Sequence, residues 1–144
     1  MNTYNLSPLD VELNTLLSDG YQMWDRFGLI PLNEMEKHVC LAQAVKCCKN
    51  DCHTRDFAAA CQCFFLYRKL HHMVEEKPET ATLLGDYYFS QFSQFLIPID
   101  SPELIDLFAE FLKKDTKIAV DGNREFDMDK YLSFIAFAAE EIGL

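Results

Sequence analysis

The sequence predicts an all-α protein, a single-domain helical bundle of six or seven helices. Apolar residues recur at three- and four-residue steps along most of the chain, and no stretch shows the sustained alternation of a strand. Of the 144 residues, 49% are hydrophobic and 25% are charged, which is an ordinary balance for a globular domain. The length allows one substantial core, so we expect residues 1–144 to form one all-helical domain.

Helix start and stop signals divide the chain into seven segments. Ser7 followed by Pro8 is typical of a first helical turn, and Asn33 with Glu36 has the spacing of a capping box. Gly20 predicts the end of the first helix. The predicted helices run over about residues 7–20, 21–27, 33–49, 54–75, 78–96, 100–121 and 127–142.

The stretch from Pro78 to Leu96 is the most apolar long segment, and its apolar residues fall on nearly every side. We therefore expect this helix to be central and buried all round. Gly85 in its interior predicts a close backbone approach by a neighbouring element. Asp86 places a carboxylate among aromatic residues, which requires a cation, a donor or a wet cavity. The two alternatives are an ion pair with Arg68, Lys69 or a histidine, and a position at an interface or a cavity.

The charge balance excludes several classes of partner. The net charge is −10, from 13 basic and 23 acidic residues, so we expect no nucleic-acid binding and no attraction to an anionic membrane. No apolar run reaches the roughly 18 residues of a membrane span. The first ten residues lack the features of a signal peptide, which predicts a cytoplasmic protein.

Six cysteines raise the question of a metal site. In a cytoplasmic chain we expect them to be reduced. Cys47, Cys48, Cys52 and His53 could be read as zinc ligands. Against zinc, paired C-x-x-C motifs are absent and most of the cysteines lie in apolar helical segments, where thiols are common core residues. We favour buried or half-buried thiols.

Catalytic motifs are absent from the sequence. It contains no G-x-S-x-G, no phosphate-cradling glycine loop and no H-E-x-x-H. We therefore expect no catalytic residue and no bound metal in this chain.

Three short motifs follow one another in the middle of the chain. His71 and His72 close an apolar helix, Lys77–Thr80 reads KPET, and Leu83–Ser90 reads LLGDYYFS. In this order, residues 57–120 resemble the middle of the trans-polyprenyl diphosphate synthases, all-α enzymes that lengthen isoprenoid chains. That family carries L-x-D-D-x-x-D, K-P-T and L-x-G-D-Y at the corresponding places. The resemblance implies part of the isoprenoid synthase fold.

The departures from the family concern the metal site. Its enzymes bind an allylic diphosphate through Mg²⁺ held by two Asp-rich motifs. Here His71 and His72 occupy the degenerate position of the first motif, and imidazole is a poor ligand for Mg²⁺. No second Asp-rich motif follows, since Asp127 and Asp129 have the wrong spacing.

One branch of the family lacks these motifs in one subunit. Some bacterial heptaprenyl and hexaprenyl diphosphate synthases, which make quinone side chains such as that of menaquinone, are heterodimers with a small non-catalytic subunit. The chain resembles such a small subunit. The resemblance implies a catalytic large subunit as partner, Mg²⁺ bound by that partner and not by this chain, and packing of the G-D-Y helix across the interface.

The resemblance also implies which residues contact the partner or the product. These candidates are Gly85, Asp86, Tyr87, Tyr88, Phe89, Phe92 and Phe95. For the aromatic residues, plain core packing is the alternative to an isoprenoid-contacting wall. For the whole chain, the alternative is a stand-alone homodimeric helical module that binds a long apolar ligand without catalysis.

Overall fold

In its described part, the computed structural model contains six α-helices, a 3₁₀ turn and no strand, which confirms the all-α prediction. It describes residues 8–72, 78–120 and 127–144, without the side chains of residues 118–120. The helices are α1 (Pro8–Arg26), α2 (Glu34–Cys47), α3 (Thr54–His72), α4 (Pro78–Leu96), α5 (Pro102–Val120) and α6 (Met128–Ile142), with the 3₁₀ turn at Ile97–Ile99.

The first two predicted segments form one helix. Helix α1 continues through Gly20 to Arg26, so the prediction that the helix ends at Gly20 was wrong. Leu13, Leu17 and Trp24 lie on the same face as Gly20, and all four are buried. Gly20 is thus a packing position within a helix. The predicted cap at Ser7 falls outside the described residues.

Two helix ends have the capping interactions expected of them, the start of α2 and the end of α6. The Glu36 backbone N–H donates to the Asn33 side chain at 2.7 Å, and the Asn33 backbone N–H donates to the Glu36 carboxylate at 3.1 Å. At the other end of the chain, Gly143 adopts a positive φ of 77° after α6. This turn lets the Leu144 carbonyl accept a hydrogen bond from the Lys49 N–H at 2.8 Å.

Helix α3 is the central element of the fold. Fourteen of its 19 residues are buried, whereas only six of the 19 residues of α4 are buried. Helix α3 packs against α1, α2 and α4 along its length. A helix surrounded on most sides is the expected result of apolar residues around its whole circumference.

Helix α4 has one buried face rather than an all-round buried surface, so the prediction from its composition was wrong. Leu84, Tyr88 and Phe92 point into the core, whereas Leu83 is 66% exposed and Phe89 is 40% exposed. The outer arc also carries the exposed polar residues Thr82, Asp86, Ser90, Ser93 and Gln94. The apolar count of the segment concealed this amphipathic arrangement.

An aromatic cluster joins the second half of the chain to α3. The ring of Phe64 lies 5.1 Å from that of Phe108, 5.2 Å from Phe92 and 5.8 Å from Phe111, measured between centroids. Tyr131 of α6 completes the cluster, with a centroid distance of 5.1 Å to Phe111. Mostly tilted and edge-on rings at these distances attract one another in addition to burying apolar area.

Of the helices in the described ranges, none has both the length and the apolar character to cross a membrane.

Candidate functional site

A pocket of about 280 Å³ lies between the end of α3 and the first half of α4. It brings together three of the residues singled out from the sequence, His71, Gly85 and Asp86. The antiparallel arrangement follows from the short connection between the two helices, because residues late in α3 then face residues early in α4. The remaining walls are Tyr67, Leu70, Ala81 and Thr82.

Gly85 is buried, but it does not mark a close helix crossing. A Cβ built on Gly85 would meet its nearest neighbour, Cδ1 of Tyr67, at 3.9 Å, which is ordinary van der Waals contact. The close approach occurs at Gly20 instead, where a Cβ would lie 2.5 Å from the Tyr88 hydroxyl oxygen. The prediction therefore named the wrong glycine, because both sit mid-helix and only the neighbouring chain distinguishes them.

Asp86 is exposed at the edge of the pocket, and the ion pair that was one of the two alternatives for it is absent from the described part of the chain. Its proposed partners pair elsewhere. Arg68 binds Asp115, and Lys69 forms an ion pair with Glu36 of α2. Water solvates an exposed carboxylate, so Asp86 needs no cation from the protein.

The two histidines end α3, with His71 exposed and His72 half-buried. Partial burial and the nearby Arg68 guanidinium lower the pKa of His71 below its usual 6.5, against a smaller opposing effect of Asp115. At neutral pH the imidazole of His71 is therefore predominantly uncharged. Adjacent helix residues project about 100° apart, which does not favour joint binding of one ion.

The aromatic candidates of α4 do not form a single wall. Tyr88 and Phe92 are buried, Tyr87 and Phe95 are half-buried, and Phe89 is exposed. The Tyr88 ring lies 6.4 Å from that of Trp24, and the Tyr88 hydroxyl has no hydrogen-bond partner among the described residues. Burial raises the pKa of Tyr88 far above its usual value, so the phenol stays protonated.

A buried charge cluster lies beside the pocket and links three helices. Arg68 of α3 donates from Nε to Oδ2 of Asp115 of α5 at 2.7 Å, and the Tyr131 hydroxyl of α6 donates to the same oxygen at 2.8 Å. Lys130 forms an ion pair with the other oxygen of Asp115. Arg68 and Asp115 are each only 1% exposed.

The charge cluster has predictable effects on its carboxylate and phenol. Desolvation would raise the pKa of Asp115, but hydrogen bonds from Lys130, Arg68 and Tyr131 lower it overall below its usual 3.8. The carboxylate is therefore charged at neutral pH. Burial, followed by the Asp115 charge, raises the pKa of Tyr131 far above the physiological range.

This cluster was not predicted from the sequence, although a signal existed. Arg68 stands four residues after Phe64, and Asp115 stands four residues after Phe111. Each charge therefore continues an apolar stripe of its own helix. Two opposite charges that continue the buried faces of their helices indicate a buried ion pair, whereas Arg68 was considered only as a possible partner of Asp86.

A second, shallower pocket of about 300 Å³ lies between α2 and α6. Met35, Val39, Ala42 and Leu132 supply its apolar surface, and Lys46 lies at its edge. None of the residues predicted as site candidates lines it.

Five of the six cysteines are buried or half-buried, and Cys52 departs from that expectation. Cys40, Cys61 and Cys63 are buried, Cys47 and Cys48 are half-buried, and Cys52 is exposed. All six are free. Burial raises the pKa values of Cys40, Cys61 and Cys63, which makes these thiols poor nucleophiles.

The zinc alternative has no support in the structure. Across residues 8–72, 78–120 and 127–144, which include Cys47, Cys48, Cys52 and His53, no three His, Cys, Asp or Glu side chains are grouped so that they could hold a metal ion.

The fold and the site define an all-α bundle with one pocket between α3 and α4 and a buried charge cluster beside it. No family model, curated protein or solved structure matches the chain.

Proposed function

We propose that this chain is a non-catalytic small subunit of a heterodimeric trans-polyprenyl diphosphate synthase. The observation that carries the proposal is the pocket in which His71, at the degenerate Asp-rich position, faces Gly85 and Asp86 of the G-D-Y segment. The pairing follows the order of the motifs that the sequence shares with the family. The pocket offers one carboxylate and one predominantly neutral imidazole, which is too few hard oxygen ligands for a magnesium–diphosphate complex.

In this function the chemistry belongs to the partner. The catalytic large subunit binds Mg²⁺ and both diphosphate substrates and performs carbon–carbon bond formation. This chain contributes a packing surface and influences the length of the product. The support within the chain is the outer side of α4, where Leu83 and Phe89 expose large apolar side chains beside the half-buried Tyr87.

The homodimeric ligand-binding module is the alternative outcome. It requires a long apolar cavity that reaches Tyr87 or Tyr88. Tyr88 is packed against Trp24 and Gly20. Neither Tyr87 nor Tyr88 lines either of the two pockets described above. We therefore place the small-subunit function first.

The experiment is co-expression with the catalytic synthase subunit of the same cell, followed by light scattering and a prenyltransferase assay. We expect a 1:1 complex, and we expect only the mixture to make polyprenyl diphosphate. If the chain forms no complex and leaves product formation unchanged, the proposal is wrong. A homodimer that retains a long apolar molecule would establish the alternative.

A pair of surface variants tests the role of α4. Leu83→Glu places a charge on the proposed interface and should weaken the complex at least tenfold, because a buried unpaired carboxylate opposes association. Val11→Glu introduces the same charge on α1, where Val11 is 53% exposed, and should leave the complex unchanged. Equal effects of the two variants would show that α4 is not part of the interface.

A further inference from the structure

The shallow pocket between α2 and α6 follows one face of α2. Met35, Val39, Ala42 and Lys46 line it at steps of four, three and four residues, which places their side chains on the same side of the helix. We call these four residues the α2 stripe. Met35 is 53% exposed, and Ala42 and Lys46 are exposed as well. Helix α2 thus turns a mainly apolar stripe toward solvent, and Leu132 of α6 widens this apolar surface.

The charges around the α2 stripe favour a second copy of the chain as its partner. The net charge is −10, so two copies repel each other over most of their surface. Among the described residues that line the pocket, none is acidic, and Lys46 at one end of the stripe is basic. At the other end, the carboxylate of Glu34 is 72% exposed and lies 3.4 Å from the imidazole of the wall residue His38. The stripe therefore carries opposite charges at its two ends.

A two-fold axis between Val39 and Ala42 makes the stripe complementary to itself. Two copies of α2 that meet at such an axis run antiparallel, and the same patch serves both chains. Val39 of each copy then faces the smaller Ala42 of the other, which lets the side chains interdigitate. The apolar stem of Lys46 covers Met35 of the other copy, and its ammonium group reaches the adjacent Glu34. A parallel arrangement would instead bring the two Lys46 ammonium groups together, which is unfavourable.

We infer that the chain forms a homodimer through the α2 stripe, in which antiparallel α2 helices place Lys46 of each copy beside Glu34 of the other. A second copy fits this surface because one helix supplies both members of the ion pair and both members of the large–small contact. The inference does not depend on the proposed function. The homodimer uses α2, whereas the proposed synthase complex uses the outer side of α4, and the two helices pack separately on α3.

The first measurement is sedimentation equilibrium of the purified full chain alone, over a range of concentrations. The average mass should rise with concentration and level off at twice the mass of the chain. A chain that is still monomeric at the highest concentration reached would overturn the inference. The synthase complex is measured in a mixture with the catalytic subunit, so the failure of one proposal is distinguishable from the failure of the other.

Charge reversal at either end of the stripe identifies the interface. Lys46→Glu places two carboxylates together and Glu34→Lys places two ammonium groups together, so each variant should weaken the dimer about tenfold. The two-fold symmetry repeats the altered contact, which doubles the effect of one substitution. Both side chains are exposed, so the fold is retained, as circular dichroism can check. Lys114→Glu makes the same charge change as Lys46→Glu at an exposed position of α5 and should leave the dimer unchanged.

The double variant Glu34→Lys with Lys46→Glu tests the antiparallel pairing itself. It exchanges the two charges, keeps the net charge of the wild type and pairs positions 34 and 46 again across the interface. Its dimerisation constant should therefore return to within about threefold of the wild-type value. A double variant as weak as the single variants would overturn the inference. So would a dimer that responds equally to Lys46→Glu and Lys114→Glu, because it would form through another surface.

Discussion

Two glycines inside helices have opposite surroundings. A Cβ on Gly20 would lie 2.5 Å from the Tyr88 oxygen and 2.9 Å from its Cζ, whereas a Cβ on Gly85 would meet Tyr67 at 3.9 Å. Tyr88 cannot move away easily, because it is buried against Trp24. Position 20 therefore has no room for a Cβ atom, whereas position 85 has.

Replacing each glycine by alanine should give effects of opposite sign. Gly85→Ala should raise the free energy of unfolding by about 0.5–1 kcal/mol, the usual gain in a helix interior. Gly20→Ala should lower it by about 1–3 kcal/mol, because the added methyl group overpacks the contact with Tyr88. Urea denaturation of the two variants checks this. Stabilisation by Gly20→Ala would contradict this, because it would show that Tyr88 shifts at little cost to make room for the methyl group.

At the scale of helices, two side chains of α3 connect it to the helices of the second half of the chain. Phe64 contacts rings from α4, α5 and α6, so one residue connects four helices. Arg68, one turn further along, ties α3 to α5 and α6 through Asp115. Helix α5 is thus held to α3 by an aromatic contact and an ion pair in succession.

Phe64→Ala should be strongly destabilising. Removal of this buried ring leaves a cavity shared by four helices, and we expect a loss of about 3–5 kcal/mol in the free energy of unfolding. Phe137→Ala on α6 is the matched control, since Phe137 is 50% exposed and should change stability by no more than about 0.5 kcal/mol. Thermal or urea unfolding of both variants gives the comparison, and similar losses would disprove the central position of Phe64.

Helix positions could be predicted from the sequence because caps and breakers act locally. The box of Asn33 and Glu36, Pro78 and the Asp127 cap lie where the sequence indicated them. The environment of a residue within a helix could not be predicted in the same way. Gly20 resembled a helix end because the neighbour that explains it, Tyr88, is 68 residues away in the chain.

The candidate site shows the same division. The sequence identified His71, Gly85 and Asp86, and the structure brings them to one pocket. The ion pair of Arg68 with Asp115, rather than with Asp86, could not be predicted from the sequence, because it depends on how α5 and α6 pack against α3.

At the scale of the whole molecule, the charge cluster makes stability depend on pH. Asp115 joins α3, α5 and α6, and its pKa is lowered below the usual 3.8 in the folded state. A lowered carboxyl pKa contributes stability above the unfolded-state pKa. That contribution disappears as the pH falls through the folded-state pKa.

Asp115→Asn should therefore cost about 3–5 kcal/mol at pH 7, because Arg68 then lacks its buried counter-charge. The difference from the wild type should begin to shrink as the pH falls below about 4, because Asp115 of the unfolded chain then takes up a proton while the folded-state carboxylate, with its lowered pKa, is still charged. Urea denaturation of both proteins from pH 3 to pH 7 measures this difference. A difference that is constant over this range would show that the Asp115 charge contributes nothing.

The position of Trp24 gives the molecule an optical reporter of its own. It is the only tryptophan in the chain, it is 1% exposed, and its ring N–H donates to the Ile30 carbonyl at 2.9 Å. Indole fluorescence responds to contact with water, so a shift of the emission to longer wavelength would signal that α1 has left the α4 surface. Detachment of this one helix can thus be followed without any label, separately from unfolding of the whole bundle measured by circular dichroism.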